Sequence, residues 1–216
     1  MQDVVYVLQL VQRKQLLGKG DLIMTKSILI VGVGGQGTLL TGRIIGSRAM
    51  EKGLDVKMSE VHGMAQRGGS VVMQVKYGNK VHSPLVELGE ADIIFAFEKL
   101  EALRYLPYLK EDGVMIVNTQ EIEPMPVVMG MEKYPEQIEE KLKAACKDIC
   151  FMDALSIAES IGSVKVVNMI MIGAYAAYNG ESLEEWEELV AQIVPPKTIE
   201  MNKEALRQGY KAYLDK

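Results

Sequence analysis

The chain has 216 residues, 48% of them apolar, enough to bury one sizeable core and short for two. With 25% charged residues and a net charge of -5, it offers no basic field to attract nucleic acid or an anionic lipid surface. Its two cysteines, Cys146 and Cys150, exclude a disulfide framework, a zinc quartet and a full iron–sulfur ligand set within the chain, and they suit a reducing cytoplasm.

Residues 1–24 carry an apolar start, a basic pair at Arg13 and Lys14, and Gly18-Lys19-Gly20-Asp21 ahead of Met24, without the order of regions a secretory signal has. Lys19-Gly20-Asp21 can be encoded by a purine-rich run suited to ribosome binding. The expectation is therefore an extension that is not native or is disordered, with translation starting at Met24, against the alternative of a real amphipathic extension, and a single domain over residues 25–216.

From Ser27 the pattern becomes that of a nucleotide-binding β-α-β unit. Ile28 to Val31 form a short apolar strand, and Gly32-Val33-Gly34-Gly35-Gln36-Gly37-Thr38 follows at once. Gly32, Gly34 and Gly37 hold the G-x-G-x-x-G spacing, in which missing side chains allow a tight turn, close approach to a phosphate and close packing of helix on strand. Gly35 adds backbone access, and Leu39, Leu40, Ile44 and Ile45 give the following helix an apolar stripe that Gly53 ends. The amides at this helix start would face an anion. Such turns also occur at junctions that bind nothing, so the structural reading stands beside the ligand one. Val56 to Val61 read as a second strand that brings Glu60 to its end, where a carboxylate could meet a ribose hydroxyl or simply anchor the next loop.

The most distinctive passage is Ser59-Glu60-Val61-His62-Gly63-Met64-Ala65-Gln66-Arg67-Gly68-Gly69-Ser70. It mixes a carboxylate, an imidazole, a guanidinium and glycines at a strand's carboxyl end, where open sheets collect ligands. The planar fork of Arg67 suits a phosphate or carboxylate, with Gly68 and Gly69 letting the backbone approach the same group; a salt bridge between subunits is the alternative. His62 reads as a structural, hydrogen-bonded histidine, and no catalytic residue is assigned.

Further along, Ser70 to Tyr77 alternates as a strand, and Gly78-Asn79 turns into Lys80-Val81-His82 to give a hairpin beside the main sheet. Asp92 to Phe97, Glu98 to Leu109 and Val114 to Asn118 compose a second β-α-β unit. Glu121 to Met131, with Pro124 and Pro126, reads as a loop, a lid or an interface arm. A helix over Tyr134 to Lys147, a strand over Ile149 to Asp153 and a helix over Leu155 to Ile161 closed by Gly162 come next. Val164 to Tyr178 is apolar on nearly every side and short of a bilayer span, a buried helix in a soluble protein whose Asn168 caps or bonds a neighbouring backbone group. Ser182 with Glu185 forms a capping box opening a helix to Gln192, Pro195-Pro196 ends it, and Lys203 to Tyr213 is the last helix. Trp186 and the methionines read as packing residues. The fold class is α/β: Rossmann-like, a mostly parallel sheet flanked by helices, with an added hairpin and C-terminal helices.

The strand with GVGGQGT, the SEVHGMAQRGGSVV stretch and the KVVNMIMIGA helix together resemble the gamma-type domain of the 2-oxoacid:ferredoxin oxidoreductases, over Ser27 to the C-terminus. The wording SEVHGMAQRGG is most like the indolepyruvate branch of that family. The resemblance implies a larger partner (alpha) subunit that holds thiamine diphosphate, magnesium and iron–sulfur clusters, with electrons leaving to ferredoxin and coenzyme A taking the acyl group. It also implies that this domain contributes to the coenzyme A site and is inactive alone. Two other classes fit parts of the pattern: a stand-alone NAD- or flavin-dependent oxidoreductase using the same turn and Glu60, and a scaffold whose glycine turn is structural.

Overall fold

A computed structural model describes residues 25–63 and 68–215. The expected extension over residues 1–24 therefore lies outside the described residues, as does Arg67.

The described residues build a six-stranded sheet of order β2-β3-β1-β4-β5-β6. Its strands are β1 (Lys26–Val33), β2 (Asp55–His62), β3 (Ser70–Gly78), β4 (Ala91–Ala96), β5 (Leu109–Asn118) and β6 (Asp148–Met152). β1, β4, β5 and β6 pair in parallel, whereas β3 runs antiparallel to both β1 and β2. All strands except β3 thus point the same way, which meets the expectation of a mostly parallel sheet.

Among the described residues eight α-helices accompany it: α1 (Thr38–Glu51), α2 (Lys99–Tyr105), α3 (Met125–Val128), α4 (Ile138–Ala145), α5 (Ala154–Ile161), α6 (Val167–Tyr178), α7 (Leu183–Ile193) and α8 (Ile199–Leu214). Side chains alternate across the sheet, so Ile28 and Ile30 join one core with α1 and α5 to α8, while Leu29 and Val31 join another with α2 and α4. The central strands are buried on both faces, as the continuous apolar runs in β1 and β4 require. α6 is buried along almost its whole length. It crosses α8 where Gly173 and Gly209 let the two backbones meet: a Cβ on Gly209 would lie 1.8 Å from the Ile170 carbonyl oxygen.

The hairpin differs from expectation. β3 pairs not with residues 80–82 but with β2 and β1, from Asp55↔Gly78 and Lys26↔Tyr77 onward. The reason is burial: Val71, Val72, Met73 and Val75 are all buried, so the strand needs cover on both faces and uses both backbone edges inside the sheet. Val81 instead donates its N–H to the Asp55 carboxylate at 2.9 Å.

Several element bounds also move. The segment over Glu121 to Met131 contains one helical turn, α3, with a proline in its first turn where no amide is needed. α4 starts at Ile138 rather than near Tyr134 because Gln137 adopts a left-handed conformation with φ 56. The first residues of the predicted 164–178 helix form a 3₁₀ turn, Val164–Val166, opened by the Ser163 side chain.

Candidate functional site

The hairpin decides where the site lies. β2 ends at His62 and β3 begins at Ser70, at the same sheet edge as the turn after β1. The Gly34 N–H donates to the Gly69 carbonyl at 2.9 Å, continuing the β1–β3 ladder past Val33↔Ser70. α1 leaves β1 on one face and α2 leaves β4 on the other, so the crevice between β1 and β4 is the topological switch point of the sheet.

At that point the turn itself divides into structural and open parts. Gly32 sits inside β1 and is bare for packing: a Cβ there would lie 2.7 Å from Gln36 Oε1 and 3.0 Å from the Phe97 Cβ. Gln36 is the lock. Its Oε1 accepts from the Val33 N–H at 2.7 Å, and its Nε2 donates to the Phe97 carbonyl at 3.1 Å and to Gln120 Oε1 at 3.2 Å. Gly35 has φ 106 and faces open space, and Gly37, with φ 85, is the N-cap of α1. Among the described residues no side chain caps α1 and no acidic residue lies in its first turn, so its leading amides lack the usual partners there. That arrangement favours an anion.

Two cavities flank this helix start and share Gly35 and Gly37. The first, about 390 Å³, lies between the turn and the hairpin and is lined by Gly34, Thr38, Leu39, Glu60, His62 and Val71 as well. Glu60 and His62 lie two apart on β2 and are exposed, so both side chains lean to the α1 side where Met58 also packs. His62 makes its contact locally, Nδ1 lying 3.1 Å from the Gly63 carbonyl oxygen. β3 separates β2 from β1, which places Glu60 two strand spacings, about 10 Å, from the strand bearing the turn. A dinucleotide fold would set that carboxylate on the adjacent parallel strand.

The second cavity, about 320 Å³, lies on the other side of the turn, against the end of β5 and the starts of α5 and α6. Here a sequence expectation is corrected. Asn168 neither caps nor bonds the backbone: it is 3% exposed, and its Oδ1 has no hydrogen-bond partner among the described residues. A buried acceptor left so costs about 1–3 kcal/mol. The Asn168 side chain packs against the bare Gly37, where a Cβ would come within 3.2 Å of Nδ2.

Of the residues singled out from the sequence, Gly34, Gly35, Gly37, Thr38 and Glu60 therefore converge on one cavity, with Gln36 holding the turn. Gly68, in a left-handed conformation with φ 75, and Gly69 line a separate cleft beside Glu98, Glu101 and Pro124. In that cleft the Ser70 hydroxyl donates to Glu101 at 2.5 Å, and burial pushes the Glu101 carboxyl above the usual range despite that bond. Sequence reasoning missed the second cavity; its one signal was a polar residue in an otherwise apolar helix.

Residues 27–212 match the family model described as pyruvate ferredoxin/flavodoxin oxidoreductase. The chain is similar to the indolepyruvate oxidoreductase subunit IorB of Thermococcus kodakarensis, 41% identical over 192 residues that span 86% of this chain and 95% of the relative. Its fold resembles the gamma subunit of a keto/oxoacid ferredoxin oxidoreductase from Geobacter sulfurreducens, with a TM-score of 0.66 at 24% identity, covering 88% of this chain and 99% of that one. It also resembles part of a 2-oxoglutarate:ferredoxin oxidoreductase from Magnetococcus marinus solved with 2-oxoglutarate, coenzyme A and succinyl-CoA bound, with a TM-score of 0.67 at 18% identity over 89% of this chain and 31% of that one.

Proposed function

This chain belongs to the pyruvate ferredoxin/flavodoxin oxidoreductase family and is a subunit of a 2-oxoacid:ferredoxin oxidoreductase, and from that premise we propose that it is the small subunit of an indolepyruvate-type enzyme whose open glycine turn holds the phosphates of coenzyme A. The observation that carries the second part is the uncapped start of α1 beside Gly35, with a cavity on either flank. The relatives named for indolepyruvate support the substrate class.

In this reading a larger cytoplasmic partner holds thiamine diphosphate, magnesium and iron–sulfur clusters, decarboxylates an arylpyruvate and passes electrons to ferredoxin. The acyl group leaves on the coenzyme A thiol as an acyl-CoA. This chain's own contribution is binding and positioning. The first-turn amides of α1 face the diphosphate, Gln36 keeps the turn in shape, and Glu60 is available to a ribose hydroxyl in the first cavity. Its two cysteines, both buried, Cys146 just past the end of α4 and Cys150 within β6, do not make up a cluster's ligand set, and no redox step is assigned to this chain. A stand-alone dinucleotide oxidoreductase is disfavoured by the strand inserted between Glu60 and the turn.

Affinity purification of the full chain from its own cells should recover a large thiamine- and cluster-bearing subunit, and the complex should turn over indolepyruvate in preference to pyruvate. Turnover of a 2-oxoacid by this chain alone, or a scaffold that binds no nucleotide either free or in its complex, would overturn the proposal. Gly35→Val should raise the KM for coenzyme A in the complex at least tenfold, since it fills the approach to the turn and strains a residue at φ 106.

A further inference from the structure

We propose that the arm over residues 121–133 is the surface on which the large subunit docks, and that the large subunit meets it with an apolar hollow rimmed by lysine and arginine. The inference rests on the reading that this chain is the small subunit of such a pair.

A helical turn attached to a domain normally directs its apolar face inward. α3 does the reverse. Met125, Val128 and Met129 stand at i, i+3 and i+4, on one face of the turn, and are 66%, 61% and 58% exposed. Met131, just past Gly130, is 70% exposed. Val127 is half-buried and lines the cleft that Gly68 and Gly69 share. Four large apolar side chains bared within seven positions make a patch of the kind that marks a protein contact. Three of the four are methionines, whose unbranched chains mould to a partner's surface.

The patch is held outward rather than left loose. Glu98, 1% exposed, accepts from the Ile122 N–H at 3.1 Å near the start of the arm and from the Tyr134 hydroxyl at 2.5 Å just past its end. The same carboxylate caps α2 by accepting from the Glu101 N–H at 2.9 Å. Lys99 adds a second tie, its N–H donating to the Gln120 carbonyl at 3.1 Å and its ammonium pairing with Glu121 at 2.7 Å. Among the described residues no side chain from 121 to 133 joins either core. A buried carboxylate is costly unless its bonds are complete. Here those bonds fix both ends of a segment that contributes little to the core, which is what pre-organisation for a partner requires.

Charge selects the occupant. Glu121, Glu123, Glu132 and Glu136 flank the patch in the chain and are exposed, against the single positive charge of Lys133 within the same stretch. A second copy of this chain, paired about a two-fold axis, would bring acid to acid. A different chain with cationic side chains around an apolar hollow complements the arm in both core and rim. Position agrees, since β5 runs parallel to β4 and β1, so the arm after it stands at the same sheet edge as the glycine turn. A subunit seated on the arm is thereby brought beside that turn.

The test is dissociation on dilution of the purified complex, made with the full chain and the large thiamine- and cluster-bearing subunit and followed by mass photometry. Met125→Glu combined with Met129→Glu should weaken the complex at least a hundredfold, and Met131→Glu alone about tenfold, with the melting temperature of the free chain unchanged because these side chains are exposed. Glu123→Lys combined with Glu132→Lys should weaken it about tenfold at low salt, an effect that fades as salt rises. Leu85→Glu combined with Leu88→Glu, in an exposed pair on the loop between β3 and β4 at the opposite sheet edge, should leave the complex as tight as the wild type. A complex undisturbed by the methionine variants, or one loosened by the leucine pair instead, overturns the assignment of the arm. Charge reversal that leaves the complex unchanged or tightens it overturns the basic rim. A free chain that is dimeric, and that the methionine variants turn monomeric, gives the face to a second copy and overturns the proposal. Failure of the wild type to hold any large subunit overturns the parent reading with it.

Discussion

The two ends of α1 are built on opposite plans. At its C-terminal end Arg48 is held by Glu181 at 2.9 Å, by Glu51 at 3.2 Å and by Glu185, and its guanidinium lies 5.9 Å from the centre of the Trp186 ring. Trp186 is itself fully buried, packs edge-on to Tyr175 and donates Nε1–H to Glu181 at 3.2 Å. The cations there also sit where the helix dipole favours them. At the N-terminal end no side chain among the described residues caps the helix, a glycine in a left-handed conformation stands at the boundary, and the nearest buried amide is left short of a donor among the same residues. One helix thus carries a closed end whose polar groups are met from within the chain and an open end whose groups wait for something brought from outside. Substitutions at the first should read out as stability and at the second as binding.

The largest effect is expected where the closed side is densest. Gly209→Val would drive a branched side chain into the Ile170 carbonyl, a backbone atom that cannot step aside, and should cost about 3 kcal/mol or more. Loss of soluble protein, or a sharply lowered urea midpoint, is the readout. Arg48→Met comes next. It keeps much of the packing on Trp186 but removes the charge from three carboxylates, of which Glu181 retains Lys52 at 2.7 Å, so a loss of about 2 kcal/mol is expected. Burial alone would raise the Glu181 carboxyl, but the bonds from Lys52 and Arg48 outweigh it and hold the group below its usual range. Its contribution is therefore present above about pH 4.3 and lost as the pH falls through the lower folded value. Arg48→Met should show a shallower acid loss than the wild type in urea titrations below pH 4.3, with coenzyme A affinity unchanged.

At the open end the balance reverses. Gly37→Ala places a Cβ at φ 85 and within 3.2 Å of Asn168 Nδ2, an effect of about 1 kcal/mol on folding. Because both cavities share this residue, its loss of coenzyme A affinity should exceed what that small destabilisation implies. A variant whose binding is untouched while its melting temperature drops would mean that Gly37 serves packing only.

How far these two ends could be read beforehand follows from how local their causes are. The strand, the glycine turn and the apolar stripe of α1 depend on neighbours a few residues apart, and so the β1-turn-α1 unit matched its reading. Gly32 fits the phosphate-binding spacing yet lies within β1, because what it approaches is Gln36 and Phe97, and spacing is silent on which neighbour a bare position serves. The alternation over Ser70 to Tyr77 revealed a strand without revealing its burial or its partners, and pairing with β1 is a long-range choice made by the whole sheet. The capping box was half realised: Ser182 caps through the Glu185 amide at 3.5 Å, while the Glu185 carboxylate turns away to Arg48. Asn168 was the hardest to read, since whether its side chain finds a partner depends on the residues that other elements bring around it.

The smallest expected effect tests whether the cleft under Gly68 and Gly69 belongs with the closed or the open plan. Glu101 is 4% exposed, and burial raises its carboxyl above the usual range even though the Ser70 hydroxyl and Arg104 pull the other way. The folded state then holds its proton more tightly than the unfolded chain, so stability from this group is fullest below about pH 4.3 and declines as the pH rises toward the folded value. Glu101→Gln keeps an acceptor for Ser70 and removes the buried charge, at the cost of the ion pair with the half-exposed Arg104 at 3.2 Å. These changes nearly cancel, and the net shift near neutral pH should stay within about 0.5 kcal/mol. What should change is the slope: between pH 4.5 and 7.5 the wild type loses stability that Glu101→Gln retains. Parallel curves would mean that the Ser70 bond already compensates the burial, making this cleft a closed one like the Arg48 end; diverging curves mark it as a second place where the fold keeps a charge it does not fully satisfy.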